Sequence, residues 1–271
     1  MLKKSKKFIK KIFFKDVIVA QQNTNDKMFP VDLIPITDTR DEDVFVVGFP
    51  KSGNTLMQHI ITHLVYGINK EGSRSMVNFI VPDIYTNTHY FRFNDVCFFK
   101  SHNLPEKRYK KVIYIMRDGR EALLSYYHMM KNMGKEVSLE DLYMGKVDIF
   151  GGTWQKHILS WEKNPFNADI LWIKFEDLKN NKLKELKRIC NFLNITRTDI
   201  ELNEVVKLTS IGHMKELEKR EDWTSMKKGK FLDGMNFIRK GNLDTFKKEV
   251  PDDLINIFEI SNSISLKKYY K

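Results

Sequence analysis

Short apolar runs alternate along the chain with segments in which apolar residues recur every three or four positions. Val44-Phe-Val-Val47, Val96-Cys-Phe-Phe99, Lys111-Val-Ile-Tyr-Ile-Met116 and Asp169-Ile-Leu-Trp-Ile-Lys174 predict four buried strands. Leu56, Ile60 and Leu64 predict a helix over 56–65, residues 122–130 predict a second, and residues 175–193 run into a further one. Strands alternating with helices imply right-handed crossovers, so the expected fold is α/β, a parallel sheet flanked by helices on both faces. In such sheets ligands sit outside the carboxyl ends of the strands. Lys51, Lys100, His102, Arg117 and Ser125 all fall at or just beyond those ends.

Other stretches are less regular. Residues 21–43, with Pro30 and Pro35, read as an irregular lead-in. Residues 73–95 are aromatic (Tyr85, Tyr90, Phe91, Phe93) and suit either an apolar pocket wall or core packing. Beyond Asn203 the pattern weakens, and the charged run 215–230, broken by Trp223 and Gly229, is expected to be a mobile surface loop of the kind that forms lids. Residues 252–268 predict one amphipathic helix. With no internal repeat or low-complexity linker, residues 1–271 are expected to form one domain, of which 1–40 are a basic extension and lead-in.

Composition narrows the class. With 42% hydrophobic and 30% charged residues the chain is expected to be globular and soluble. Cys97 and Cys190 are too few for a disulfide framework, which fits core packing in a reducing, cytoplasmic setting. No apolar run approaches the roughly 20 residues of a membrane span. The net charge of +11 suggests an anionic partner, but basic residues do not interleave with aromatics as in nucleic-acid modules, so no nucleic acid is expected. In residues 1–15, Phe8, Ile9, Ile12 and Phe13 fall on one side of a lysine-rich helix; contact with an anionic membrane surface is one reading, a solvated helix the favoured one.

The stretch after the first strand carries the most specific chemistry. Gly48-Phe-Pro-Lys-Ser-Gly-Asn-Thr55 joins strand to helix through two glycines, which lets backbone N–H groups and the helix N-terminus face an anion, with Lys51 adding a full charge. Measured against the G-x-x-x-x-G-K-[ST] pattern, Asn54 stands where the lysine belongs and the lysine sits inside the loop. A P-loop kinase or nucleotide hydrolase is therefore the alternative reading, and a binding module without chemistry a third. His59 and His63 lack the neighbouring glutamate of a metal motif, and no metal is expected.

Taken in order, four motifs resemble the soluble, cytosolic-type sulfotransferases, which use 3′-phosphoadenosine 5′-phosphosulfate (PAPS) and release 3′-phosphoadenosine 5′-phosphate (PAP). Phe49-Pro-Lys-Ser-Gly-Asn-Thr55 is similar to the family's 5′-phosphosulfate loop, with Asn54 for a frequent threonine and Leu56 for a frequent tryptophan. Lys100-Ser-His-Asn-Leu-Pro105 resembles the catalytic-histidine segment with one extra residue before Leu104. The segment Tyr114 to His128 resembles the 3′-phosphate segment, and Arg239-Lys-Gly241 the start of the C-terminal motif, whose continuation departs at Asp244, Thr245 and Phe246.

The resemblance implies in-line sulfuryl transfer with His102 as base, assisted by Lys51 and Lys100. It implies cofactor contacts from Lys51, Ser52, Gly53, Asn54, Thr55 and Leu56, a 3′-phosphate held by Arg117, Ser125 and Arg239 with Phe237, Lys240 and Gly241 nearby, and adenosine contacts from Phe175, Thr209 and Met214. A small organic acceptor bearing a hydroxyl or amine is expected. The family's dimerisation motif is not recognisable, so oligomeric state stays open.

Overall fold

The computed structural model describes residues 33–67, 72–92, 94–221, 238 and 243–270. Among them are six strands: β1 (Ile34–Pro35), β2 (Val44–Val47), β3 (His89–Tyr90), β4 (Phe98–Ser101), β5 (Lys111–Met116) and β6 (Asp169–Lys174). The helices are α1 (Asn54–Tyr66), α2 (Arg74–Ile80), α3 (Gly119–Asn132), α4 (Leu139–Tyr143), α5 (Trp154–Lys163), α6 (Phe175–Asn180), α7 (Lys182–Leu193), α8 (Asp199–Leu208), α9 (Ile211–Glu221), α10 (Phe246–Glu249), α11 (Asp252–Ser261) and α12 (Ser263–Tyr269).

Four strands form one all-parallel sheet in the order β4-β2-β5-β6, while β1 and β3 pair separately as an antiparallel ribbon. Side chains alternate across a strand, which divides the core in two. Phe45, Val47, Phe99, Val112 and Tyr114 enter one layer with Leu123, Trp154 and Trp161. Val44, Val46, Phe98, Ile113 and Ile115 enter the other with Met57, Ile60 and Leu64 of α1. Both faces are thus covered by helices, and the strands read as continuous apolar runs because neither face meets water.

Three expected strands, those at 44, 111 and 169, begin and end where the pattern placed them. The fourth is shifted two residues, from 96–99 to Phe98–Ser101, because its polar end finds partners: Lys100 pairs with Asp83, and Ser101 Oγ meets Tyr109 Oη at 2.9 Å. The stretch 73–95 contains α2 and the edge of the small ribbon. The charged run is helical as far as Glu221, not a surface loop, since Met214, Leu217 and Glu218 at i, i+3 and i+4 are buried; residues 222–230 lie outside the described residues. The expected single C-terminal helix is two, broken at Asn262. Among the described residues no helix is long and apolar enough to cross a membrane, and residues 1–15 lie outside them.

Candidate functional site

β2, β4, β5 and β6 end side by side, so the residues that follow them, Gly48, His102, Arg117 and Phe175, share one edge of the sheet. The loop from Gly48 to Gly53 curls through left-handed backbone at Lys51 (φ 69°) and Gly53 (φ 112°) before α1 begins. Such reversals turn successive N–H groups inward. Gly48 is required by contact: a Cβ there would lie 2.3 Å from the Ile115 carbonyl oxygen of β5. Ser52 is fully buried, and its Oγ has no hydrogen-bond partner among the described residues. A buried hydroxyl without a partner is costly unless a ligand supplies one, so this loop fits an anion better than it fits an ordinary turn.

Asn54, at the position a P-loop lysine would take, does not reach out of the loop. Its Nδ2 donates to the carbonyls of Ser101 (3.1 Å) and Gly48 (3.4 Å), which ties the loop to the end of β4. What it can present to a ligand is its backbone N–H at the helix start. Thr55 and Leu56 follow on the first turn of α1, both partly buried.

His102 is brought to this loop by a hydrogen bond. Its Nδ1 lies 2.7 Å from the Gly48 carbonyl, which can only accept, so Nδ1 carries the proton and Nε2 is the unprotonated nitrogen of the neutral ring. Burial, and then the neighbouring Lys100 ammonium, push its pKa down to about 3. His157 backs the segment from below: Nε2 donates to the His102 carbonyl (3.1 Å), and Nδ1 accepts from Tyr114 Oη (2.7 Å). The inserted Asn103 is held by Tyr85, Glu106 and Tyr109, so the extra residue is absorbed by side-chain contacts. Lys100 points its ammonium at Asp83, 2.8 Å away.

Arg117 sits opposite. Its guanidinium donates to the Lys51 carbonyl (3.1 Å) and to Glu121 Oε2 (3.2 Å), and lies over the Phe175 ring at 4.7 Å. Phe175 in turn packs on Gly53, where an added Cβ would be 2.8 Å from its ring. The loop, the arginine and the aromatic therefore form one contiguous wall. Ser125 is on α3, two turns further and largely buried.

Thr209 lies at the end of α8, its hydroxyl donating to the Val205 carbonyl and accepting from Lys182, so its side chain is committed within the protein. Met214 is buried against Leu217 and Ile238 in a separate small cluster. Phe237, Arg239, Lys240 and Gly241 lie outside the described residues.

A model described as a sulfotransferase domain matches residues 41–268. The chain belongs to the sulfotransferase family. It is 28% identical to Sulfotransferase 1B1 of Mus musculus over 196 residues, covering 64% of this chain and 66% of that protein. With Sulfotransferase 2A1 of Homo sapiens it shares 27% identity over 223 residues, 74% of this chain and 76% of the relative. Retinol dehydratase, solved with retinol and PAP and with androsterone and PAP, superposes on 95% of the chain with TM-scores of 0.70 and 0.69 at 17% and 18% identity, a likeness of fold.

Within this sulfotransferase the departures in the C-terminal motif have a local explanation. Asp244 takes a left-handed backbone (φ 59°), a conformation that glycine adopts freely and aspartate tolerates. Phe246 keeps the contact an aromatic needs: its N–H donates to Glu121 Oε1 at 3.0 Å, and Arg120 stacks on its ring at 4.4 Å. Two groups near His102 went unread in the sequence. Phe150 (ring centroids 5.2 Å) follows a segment without periodicity, and Asp83 lies in the aromatic stretch 73–95 with no signal of its own. With Tyr85, Phe150 makes a partly exposed aromatic rim beside the imidazole.

Proposed function

We propose that this sulfotransferase moves a sulfuryl group from PAPS to a hydroxyl or amine of a small organic acceptor by in-line transfer, with His102 as base. The observation that carries the reading is the 2.7 Å hydrogen bond from His102 Nδ1 to Gly48. It joins a neutral imidazole, Nε2 unprotonated, to the loop that would hold the donor's 5′ end. The loop N–H groups and the Ser52 hydroxyl would hold that end, and Arg117 and Ser125, with Arg239, the 3′-phosphate. When bound, PAPS supplies the activated sulfuryl group. His102 accepts the acceptor proton at Nε2, and Lys51 and Lys100 balance negative charge around the sulfuryl oxygens and the departing phosphate.

The low basicity of His102 suits this order of events. Anionic charge arriving beside the ring raises its proton affinity, so the base strengthens when the donor is in place. The Tyr85–Phe150 rim, together with the small apolar molecules bound by retinol dehydratase, supports a small organic acceptor. Free, buried Cys97 and Cys190 suit a cytoplasmic setting.

A panel of phenols, alcohols, amines and sugars with radiolabelled PAPS tests the reading. Label should appear in an acceptor, and His102→Ala should remove most of the turnover while leaving PAP binding intact. Undiminished transfer by His102→Ala would sink the mechanism, and magnesium-dependent ATP turnover without any response to PAPS would favour the kinase or hydrolase reading.

A further inference from the structure

Lys100 and Asp83 form an ion pair in which each side chain is only 12% exposed. Asp83 is fixed from several directions. Its Oδ1 accepts the Tyr85 N–H at 2.9 Å, and its carbonyl accepts the N–H groups of Thr86 and Asn87 at 3.0 Å. The backbone docks as well: Lys100 N–H donates to the Pro82 carbonyl (2.9 Å), and Ile84 N–H donates to the Lys100 carbonyl (3.1 Å), a parallel bridge along the outer edge of β4. The same turn carries Tyr85 to within 6.2 Å of the His102 ring and bonds its hydroxyl to Asn103.

A lysine ammonium on a four-carbon stem has no preferred position of its own; its place is set by what it pairs with. Here the only hydrogen bond the described residues give Lys100 Nζ is the one to Asp83. An ammonium has three N–H groups, so two remain for another acceptor. His102 follows directly on the end of β4, two residues after Lys100, and its ring feels the Lys100 charge.

We propose that Asp83 is a positioning residue for sulfuryl transfer: it holds the Lys100 ammonium at the carboxyl end of β4, beside His102, and leaves two of its N–H groups for the sulfuryl oxygens. The assignment rests on the sulfotransferase reading of the site. A charge held in place before the donor arrives needs no reorganisation during transfer, which is where such groups act best. Asp83 itself stays ionised because burial is offset by the lysine beside it.

The test uses the full chain with PAPS and the best acceptor from the panel. Asp83→Asn keeps the size and removes the charge. Expected are a drop in kcat of about 10- to 100-fold, as for a misplaced catalytic group, and PAP affinity by calorimetry within about twofold of wild type, because PAP lacks the sulfuryl group. Asp83→Glu should recover part of the rate. In a Lys100→Met background, Asp83→Asn should cost nothing further, since Asp83 acts through Lys100. Should Asp83→Asn fail to fold, the same comparison is made with Asp83→Glu, whose kcat loss must likewise vanish in Lys100→Met. Additive losses, an unchanged kcat, or PAP affinity falling in step with kcat would each overturn the assignment. A wild-type protein that neither binds PAP nor transfers label would instead overturn the reading beneath it.

Discussion

Acidification should unfold this protein through its buried histidines. His59 and His157 are at most 1% exposed, and burial is the main reason their pKa values are pushed down to about 3 and about 4. In the unfolded chain each titrates near 6.5. Between pH 6.5 and pH 4 the unfolded state therefore binds protons that the native state refuses, and stability present above pH 6.5 is lost as pH falls. From pH 7 to pH 5 each histidine costs about 2 kcal/mol, so the pair removes about 4 kcal/mol. His102 is shifted in the same direction, to about 3, and its charging adds to the loss. Against a total stability on the order of 5–15 kcal/mol, the native state should be marginal near pH 5. Urea denaturation followed by circular dichroism at half-unit steps measures this. Stability should fall by about 3 kcal/mol per pH unit below pH 6, and His157→Gln should remove about 1.4 kcal/mol per pH unit from that slope. A flat profile, or a slope unchanged in both His157→Gln and His59→Gln, would refute the reasoning.

Gly48→Ala drives a methyl into the Ile115 carbonyl at 2.3 Å, so β2 and β5 must part; a loss of about 3 kcal/mol is expected in thermal melts, with weaker PAP binding by calorimetry. Arg117→Lys keeps the charge but loses the planar fork that spans Lys51, Glu121 and Phe175, and should weaken PAP about 10- to 100-fold while leaving adenosine 5′-phosphosulfate, which has no 3′-phosphate, nearly unaffected. Glu121→Gln removes the carboxylate that joins Arg117 to the Phe246 N–H; PAP affinity should drop by a smaller factor, about threefold to tenfold. Because His102 is neutral throughout the working range, kcat/KM for PAPS should show no inflection near pH 6.5, as read from initial rates between pH 5.5 and 8 on enzyme checked for folding.

The sequence by itself determined whatever depends on near neighbours along the chain. Strands β2, β5 and β6 are local runs of apolar residues, the glycine loop is a contiguous motif, and Arg117 with Ser125 are spaced by one helix. The order of those motifs was enough to indicate a sulfotransferase. Only the tertiary structure decided which distant groups meet. It set His102 against Gly48 across 54 residues, paired Lys100 with Asp83 across 17, and wedged Gly48 beside Ile115. It also made residues 215–221 of the charged run part of helix α9, because Leu217 and Glu218, with Met214 just before the run, found a surface to bury against. Periodicity reports the face a residue occupies but not its partner. Partners are chosen by the sheet order β4-β2-β5-β6, which brings separate strand ends to one edge.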